Sequence, residues 1–369
     1  MKILLITSLY PIPDNPARGI FIADRVDLLR KMGHEVRVLN PLPRMLRMHE
    51  LRRSTLSGVA RAPKYTTEDE GHIYHPKYSK FPDNNLMWWT RRSILRLVGK
   101  VERWLEQWRP EVTSCHTIWP VGELASRLAN RWDCPWIATV HGWDFDVGLN
   151  GRCKSHISEL ASDANRLIAV SERLVEVAKD IGSESSESAG SNGGTIECTF
   201  IPCHSAVGKD WRQPLRKYRG NWRRGHLEVL FPANPRRPEK RHLLALRALA
   251  ELETRGWNVS MGGLANVPRQ MVFDRMVSCD LTLITSEREA GPLVAREAIS
   301  CGCPVVGVDV GDLATWLPKH SIAEDESPTS IADAIEATLS QPMTDFELPE
   351  KFTSPAVERS LTQLFTQIQ

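Results

Sequence analysis

Apolar positions in this chain fall into two patterns. Short unbroken runs, Ile3 to Thr7, Trp136 to Val140 (WIATV) and Arg166 to Ser171 (RLIAVS), read as strands buried on both faces. Between the first run and EVRVLN, Ile22, Val26 and Leu29 recur at helical spacing, and Gly33 marks the end of that helix. A strand, a helix and a second strand in this order predict a parallel sheet with helices packed on it.

The alternation stops at Ser183 to Thr195, SESSESAGSNGGT, which has no large apolar residue and reads as a flexible loop or linker. It then restarts with LEVLFPA as a strand, HLLALRALAELETRG as a helix, and WNVSMGG, DLTLITS and PVVGVDV as strands. The expected organisation is a first β/α domain over 1–182, a linker over 183–195 and a second β/α domain over 196–343. Val357, Leu361 and Leu364 then recur at helical spacing, so 355–369 is expected to form a terminal helix that packs back on the first domain.

Size agrees with this division, because 369 residues exceed the roughly 250–300 at which a single core stops growing. No apolar run approaches the roughly 18 residues needed to span a bilayer, and MKILLITSLYP reads as a first strand, not a signal peptide. The eight cysteines include no Cys-x-x-Cys pair and mostly lie in apolar surroundings, which predicts reduced core thiols in a cytoplasmic protein. The net charge of +2 is unevenly spread, with a basic excess in residues 1–150 and an acidic excess after it. That asymmetry suits a first domain that meets an anionic acceptor or membrane surface, and no nucleic-acid-binding motif accompanies it. No Gly-x-Gly-x-x-Gly follows the first strand, which argues against a classical dinucleotide dehydrogenase.

Three stretches carry candidate chemistry. In DLTLITSEREAGPLVAREAI a buried strand leads through a polar loop into a helix expected to begin at Pro292, with Gly291 just outside it. Unpaired amides at such a start, those of Leu293 and Val294 included, attract phosphate, and a nearby carboxylate accepts hydroxyls of a ribose or sugar. Glu289 and Glu297 stand eight residues apart. Within one helix that spacing is a rise of roughly 12 Å and an offset of about 80°, too far for a single acid and base pair. With Glu289 ahead of the helix, the two can hold different parts of one ligand. The alternative is a solvated Glu289 and a Glu297 bonded to a neighbouring helix.

In LEVLFPANPRRPEKRHLLAL a strand feeds a loop with Arg236, Arg237, Lys240 and Arg241, which suits a diphosphate leaving group or is simply a solvated basic loop. In WIATVHGWDFDVG, His141 leaves the end of a parallel strand, where such sheets bind ligands, or is a core or helix-capping histidine. Asp144 and Asp146 superficially offer a metal-binding pair, but no further ligand spacing supports one, and no metal is expected. Finally, MWWTRRSILRLVGKVERWLEQW alternates tryptophan, leucine and arginine at roughly helical spacing. It reads either as a helix resting on anionic lipid or as one packed on its own domain's sheet.

Taken together, KILLITSLYP, GHEV, VHGWD, AVS, FIP, EK, the E-x7-E stretch and VDVGD resemble the retaining family 4 glycosyltransferases, in particular the branch that assembles bacterial surface polysaccharides such as teichuronic acid. The resemblance covers nearly the whole chain. It implies the GT-B fold, two Rossmann-like β/α domains facing a central cleft, with a nucleotide-diphosphate sugar bound by the second domain, a saccharide or lipid-linked acceptor by the first, and no cofactor or metal. It implies that Glu289 contacts the donor sugar, Glu297 the ribose, His141 the donor sugar, Gly19 the donor from the start of the first helix, and Lys240 with one arginine the diphosphate. Asp144 is assigned to the acceptor side. Where the family commonly has Gly-Arg this chain has Ala233-Asn234, so Arg236 or Arg237 is expected to supply that charge. Cys203-His204-Ser205-Ala206 replaces the usual Asn-Gly-Val-Asp, and Ala290 follows Glu289 where Gly is usual. Other readings are a nucleotide-sugar epimerase of the same fold and a non-catalytic donor-binding subunit of a polysaccharide assembly.

Overall fold

A computed structural model describes residues 1–369 except 53–55, 67–71, 190–195, 213–224, 265–266, 342–344 and 369. The chain divides into two units, residues 1–201 with 358–369, and residues 202–357.

Unit 1 is built on β1 (Lys2–Thr7), α1 (Ile20–Lys31), β2 (Glu35–Leu39), the short strands β3 (Leu42–Pro43), β4 (Tyr65–Thr66), β5 (Ile73–Tyr74) and β6 (Lys77–Tyr78), then α2 (Met87–Leu95) and α3 (Val98–Leu105). It continues with β7 (Val112–His116), α4 (Val121–Trp132), β8 (Trp136–Val140), α5 (Lys154–Asp163), β9 (Arg166–Ala169), α6 (Glu172–Ala189) and β10 (Cys198–Phe200). Its main sheet has the order β10-β9-β8-β7-β1-β2-β5-β4, and only the β4–β5 pair is antiparallel. β7 and β8 are buried along their whole length, as strands of a parallel sheet covered on both faces must be. Their C-terminal ends deliver His116 and His141 side by side.

Unit 2 contains β11 (His226–Phe231), α7 (His242–Thr254), β12 (Asn258–Gly263), α8 (Arg269–Ser278), β13 (Leu281–Ile284), α9 (Leu293–Ser300), β14 (Val305–Gly307) and α10 (Pro328–Ser340). Its sheet runs β12-β11-β13-β14, all parallel. α11 (Ser354–Gln367) follows, and from residue 358 it belongs to unit 1, where the Phe365 ring meets His34 edge-on at 5.3 Å.

Three expectations change. The segment expected to be a linker at 183–195 continues α6 as far as Ala189, and its remaining residues, 190–195, lie outside the described ones. Serine and glutamate are tolerated in a helix that Leu174, Ala178 and Ile181 have already anchored in the core. The boundary expected at 195/196 falls at 201/202, because β10 pairs with β9 and so belongs to the first sheet. The tryptophan-rich stretch is two helices with different roles. Val101 and Leu105 of α3 and Trp108 after it are buried in their own unit, whereas Leu86, Trp88 and Trp89 at the start of α2 are exposed.

Candidate functional site

In unit 2 the basic loop after β11 is fixed by backbone and side-chain bonds to the segment after β13. Arg241 donates from Nε to the Thr285 carbonyl at 2.7 Å and from Nη2 to the Ser286 carbonyl at 3.0 Å. Its guanidinium also forks onto both Glu326 oxygens, at 2.5 and 2.9 Å. Thr285 Oγ1 donates to the Lys240 carbonyl at 3.0 Å, and the Glu287 amide donates to the Glu239 carbonyl at 2.9 Å. Arg241 is therefore a brace for the loop and not one of its ligand-facing cations.

The brace sets Lys240 Nζ against Glu289 Oε1 as an ion pair, and Ser286 Oγ donates to the same oxygen at 2.8 Å. Arg237 is taken by Glu239, with Nη2 at 2.7 Å from Oε1. Arg236 is exposed and makes no side-chain ion pair among the described residues; its backbone amide is held by Asn234 Oδ1 at 2.9 Å. Of the two arginines the sequence left open as the displaced basic partner, Arg236 is the one whose charge is uncommitted.

Pro292 is the N-cap of α9, and the helix begins at Leu293, one residue later than expected. The first amides, those of Leu293 and Val294, precede any intrahelical acceptor. The helix start is supported from behind by Arg296, which is completely buried. Its guanidinium donates to the Cys203 carbonyl at 2.7 Å and to Asp312 Oδ2 at 2.6 Å, and stacks 3.8 Å from the centre of the Phe352 ring. A Cβ at Gly291 would lie 2.5 Å from Arg296 Nη2, so only glycine lets the loop approach this closely.

Glu297 does not share the environment of Glu289. It is 3% exposed and paired with Arg269 Nη2 on α8, the bond to a neighbouring helix that the sequence allowed as one of its two readings. Each carboxylate has its own cation, Lys240 for Glu289 and Arg269 for Glu297. Two separately neutralised carboxylates are not a shared acid and base pair, whose mutual repulsion would hold one of them protonated.

In unit 1, His141 follows β8, and its imidazole stacks on His116 with centroids 5.5 Å apart and 27° between the planes. His116 Nδ1 and His141 Nε2 are 3.3 Å apart, so one neutral ring donates to the other. Phe21 of α1 covers the His141 ring at 4.9 Å. Burial pushes the His141 pKa down to about 3, with the Arg25 charge acting in the same direction. His116 is depressed by burial first, and by His141 and Arg25 after it. Both imidazoles are neutral at physiological pH.

Asp144, which the sequence reading assigned to the acceptor side, is enclosed by backbone. It is completely buried, and its two oxygens accept from the backbone amides of Ile118 at 2.8 Å and His141 at 2.9 Å. Burial raises its pKa to about 6 against the lowering effect of those amides. Asp144 thus fixes the backbone that carries His141. Asp146 is drawn away to Arg173 at 2.7 Å, so the two aspartates serve different partners. Among the described residues no group of three or more His, Cys, Asp or Glu gathers as metal ligands would.

Gly19 caps α1 with φ 62° and ψ 30°, and a Cβ there would sit 2.3 Å from the Leu9 carbonyl oxygen. The turn is tied by the buried Arg18, whose guanidinium donates to the carbonyls of Tyr10, at 2.9 Å, and Ser8. Sequence reasoning missed Arg296, Asp312, Arg269, Glu326 and His116. Only His116 left a signal, as a polar residue ending an apolar run in the same way as His141.

Comparison with known proteins gives these sites a context. A Glycosyl transferase 4-like domain matches residues 20–187, and a Glycosyl transferases group 1 domain matches residues 264–359. The chain is 27% identical over 355 residues to the Bacillus subtilis (strain 168) protein named "Putative teichuronic acid biosynthesis glycosyltransferase TuaC", covering 91% of this chain and 88% of that one. Its fold is similar to sucrose-phosphate synthase from Thermosynechococcus elongatus, with a TM-score of 0.64, 16% identity and coverage of 100% of this chain and 98% of that one. It is also similar to an α,α-trehalose-phosphate synthase (UDP-forming) from Burkholderia xenovorans in complex with glucose-6-phosphate, with a TM-score of 0.71, 11% identity and coverage of 99% and 100%. Anabaena HepE in complex with UDP and glucose gives a TM-score of 0.62 at 14% identity, with both chains covered in full. With a 4-like domain in its first unit, a group 1 domain in its second, parallel β/α sheets in both and a relative matching along most of its length, this chain belongs to the glycosyltransferases of the GT-B fold.

Proposed function

We propose that the protein transfers a sugar, with retention of configuration, from a nucleotide-diphosphate sugar to a saccharide carried on a lipid, in the building of a bacterial surface polysaccharide. The observation that carries this reading is the Lys240–Glu289 pair set by the Arg241 brace beside the start of α9. In the ligand-free protein these two groups neutralise each other. A bound donor exchanges those partners: its diphosphate takes Lys240, Arg236 and the Leu293 and Val294 amides, and its sugar hydroxyls donate to Glu289.

The chemistry then needs positive charge where the leaving diphosphate develops negative charge, and these groups supply it. As the bond from the anomeric carbon to the diphosphate oxygen breaks, that oxygen takes the proton of the attacking acceptor hydroxyl. The acceptor oxygen bonds to the same face of the anomeric carbon. No side-chain base is required, in keeping with carboxylates that each have a separate cation. Glu297, held by Arg269, is the ribose contact, and neutral His141 is a hydrogen-bonding partner for the transferred sugar. The same residues account for donor binding without a metal or other cofactor.

The acceptor belongs to unit 1. The exposed Leu86, Trp88 and Trp89, with Arg92 and Arg96 on the same segment, form a surface suited to the interface of an anionic membrane. No helix among the described residues is long and apolar enough to cross a membrane. Incubation with a panel of nucleotide-diphosphate sugars, with and without lipid-linked saccharides, tests the reading. Acceptor-dependent nucleotide release with an unchanged anomeric configuration by NMR is the expected result. An inverted product removes the retaining mechanism, and donor isomerisation without acceptor removes transfer altogether.

A further inference from the structure

An open depression of about 660 Å³ lies in unit 1, unused by the chemistry above; it is lined by Asn84, Leu86, Met87, Trp88, Arg91, Arg152 and His156. Being open to solvent, it suits a ligand held at the surface more than one enclosed on all sides. The lining is sorted by chemistry. One part is apolar, from Leu86, Met87 and Trp88; the other carries two guanidiniums and an imidazole, with no carboxylate among the lining residues.

The cations are held in place by partners outside the lining. Glu123, 7% exposed, accepts from Arg91 Nε at 2.8 Å and lies 3.3 Å from His156 Nδ1. His156 stacks on Trp119 with centroids 4.5 Å apart, and Arg152 is fixed by Asn85 Oδ1. This leaves both Nη groups of Arg91 without a hydrogen bond among the described residues. The lining carries two permanent cations, of which only Arg91 is paired with the buried Glu123, so the cluster is positive even with His156 neutral. Asn84 Oδ1 is buried without a hydrogen-bond partner among the described residues, an acceptor that a ligand hydroxyl would satisfy.

We infer that this cavity binds the headgroup of an anionic phospholipid, with its phosphate on Arg91 and Arg152, a headgroup hydroxyl on Asn84, and its acyl chains continuing along Leu86, Trp88 and Trp89. A free phosphate would need only the guanidiniums. The exposed apolar wall beside them matches a molecule that is anionic at one end and apolar at the other. The tryptophan pair, edge to face at 5.6 Å, suits the headgroup level of a bilayer. The inference rests on the membrane-facing reading of unit 1 and gives it a defined lipid contact.

The test uses the full chain in flotation with phosphatidylcholine vesicles, with and without phosphatidylglycerol, and titration with dihexanoyl phosphatidylglycerol and with inorganic phosphate, followed by tryptophan fluorescence. The wild type floats only with the anionic vesicles and binds the short-chain lipid more tightly than phosphate. Arg152→Gln, at an exposed position where the fold is not at risk, weakens lipid binding about fivefold. Asn84→Ala weakens binding of phosphatidylglycerol but not of short-chain phosphatidic acid, which lacks the headgroup hydroxyl. Wild-type protein that floats with no anionic vesicle removes the membrane reading itself. Flotation that persists unchanged in Arg152→Gln and in Arg91→Gln, or phosphate binding equal to that of the short-chain lipid, overturns the cavity assignment and leaves the membrane reading standing.

Discussion

At the scale of single residues, the site is a set of charges each given a partner, with the exception of Arg236. The place of Glu289 ahead of α9 was legible in the sequence because Gly291-Pro292 marks where that helix starts. Lys240 was legible as part of a basic loop after a strand. Their pairing was not, because it joins residues 49 apart and depends on Arg241 bonding to carbonyls that any residue type could supply. The surroundings of Asp144 were hidden for a similar reason: a carboxylate in a polar-looking loop gives no sign that two backbone amides will enclose it. Arg296 lies in an amphipathic helix where an arginine normally reaches solvent, and its burial depends on Asp312 and the Cys203 carbonyl. Replacing it by Met leaves Asp312 and that carbonyl without their donor, and is expected to lower stability by about 3–5 kcal/mol in urea unfolding. Glu297→Gln separates structure from binding. Loss of the charge opposite Arg269 lowers stability, and a further fall in donor affinity measured on the folded fraction is the mark of the ribose contact.

At the scale of elements, the sequence located β1, α1, β2, β8 and β9 in unit 1, β11, α7, β12, β13, α9 and β14 in unit 2, and α11, but did not single out β7, α4, α5, α6, α8 or α10. It missed β3 to β6, whose two-residue lengths give periodicity nothing to act on. It also misjudged where α6 ends, since composition describes what a segment can bury and not whether an anchored helix can run on through it. α1 depends on one position. Gly19 is left-handed, and the Leu9 carbonyl oxygen occupies the space a side chain would need. Gly19→Ala therefore combines a strained φ with a steric clash, expected to cost at least about 1–3 kcal/mol and to displace the Phe21 ring that covers His141. Reduced thermal stability together with altered His141 ring signals in NMR would show both effects. A variant as stable as the wild type would mean that the turn can be remade without glycine.

At the scale of the whole molecule, burial of titratable groups sets an acid limit. His34, His75, His116, His141 and His320 all have folded pKa values below the ordinary 6.5, with His75 at about 4 and His141 at about 3. Above that ordinary value both folded and unfolded chains hold these rings neutral. As pH falls through it, the unfolded chain takes up protons that the folded chain refuses, and stability is lost. Asp144 acts the other way, because its raised folded pKa of about 6 lets the native state bind a proton before the unfolded chain does at 3.8. With five groups against one, the urea midpoint is expected to fall between about pH 7 and about pH 5. The division of the chain was legible from the restarted β/α alternation. The return of the terminal helix to unit 1 was expected from its apolar spacing, whereas the edge strand β10 follows from a pairing that appears only in the folded chain. The central claim is that unit 2 stabilises a departing nucleotide diphosphate with Lys240 and engages the donor sugar with Glu289. The most direct measurement is acceptor-dependent nucleotide release by the wild type, Lys240→Ala and Glu289→Ala, each checked for native fold by circular dichroism. The account predicts release by the wild type and a loss of about 10²–10³-fold in each variant; wild-type rates in both variants would contradict it.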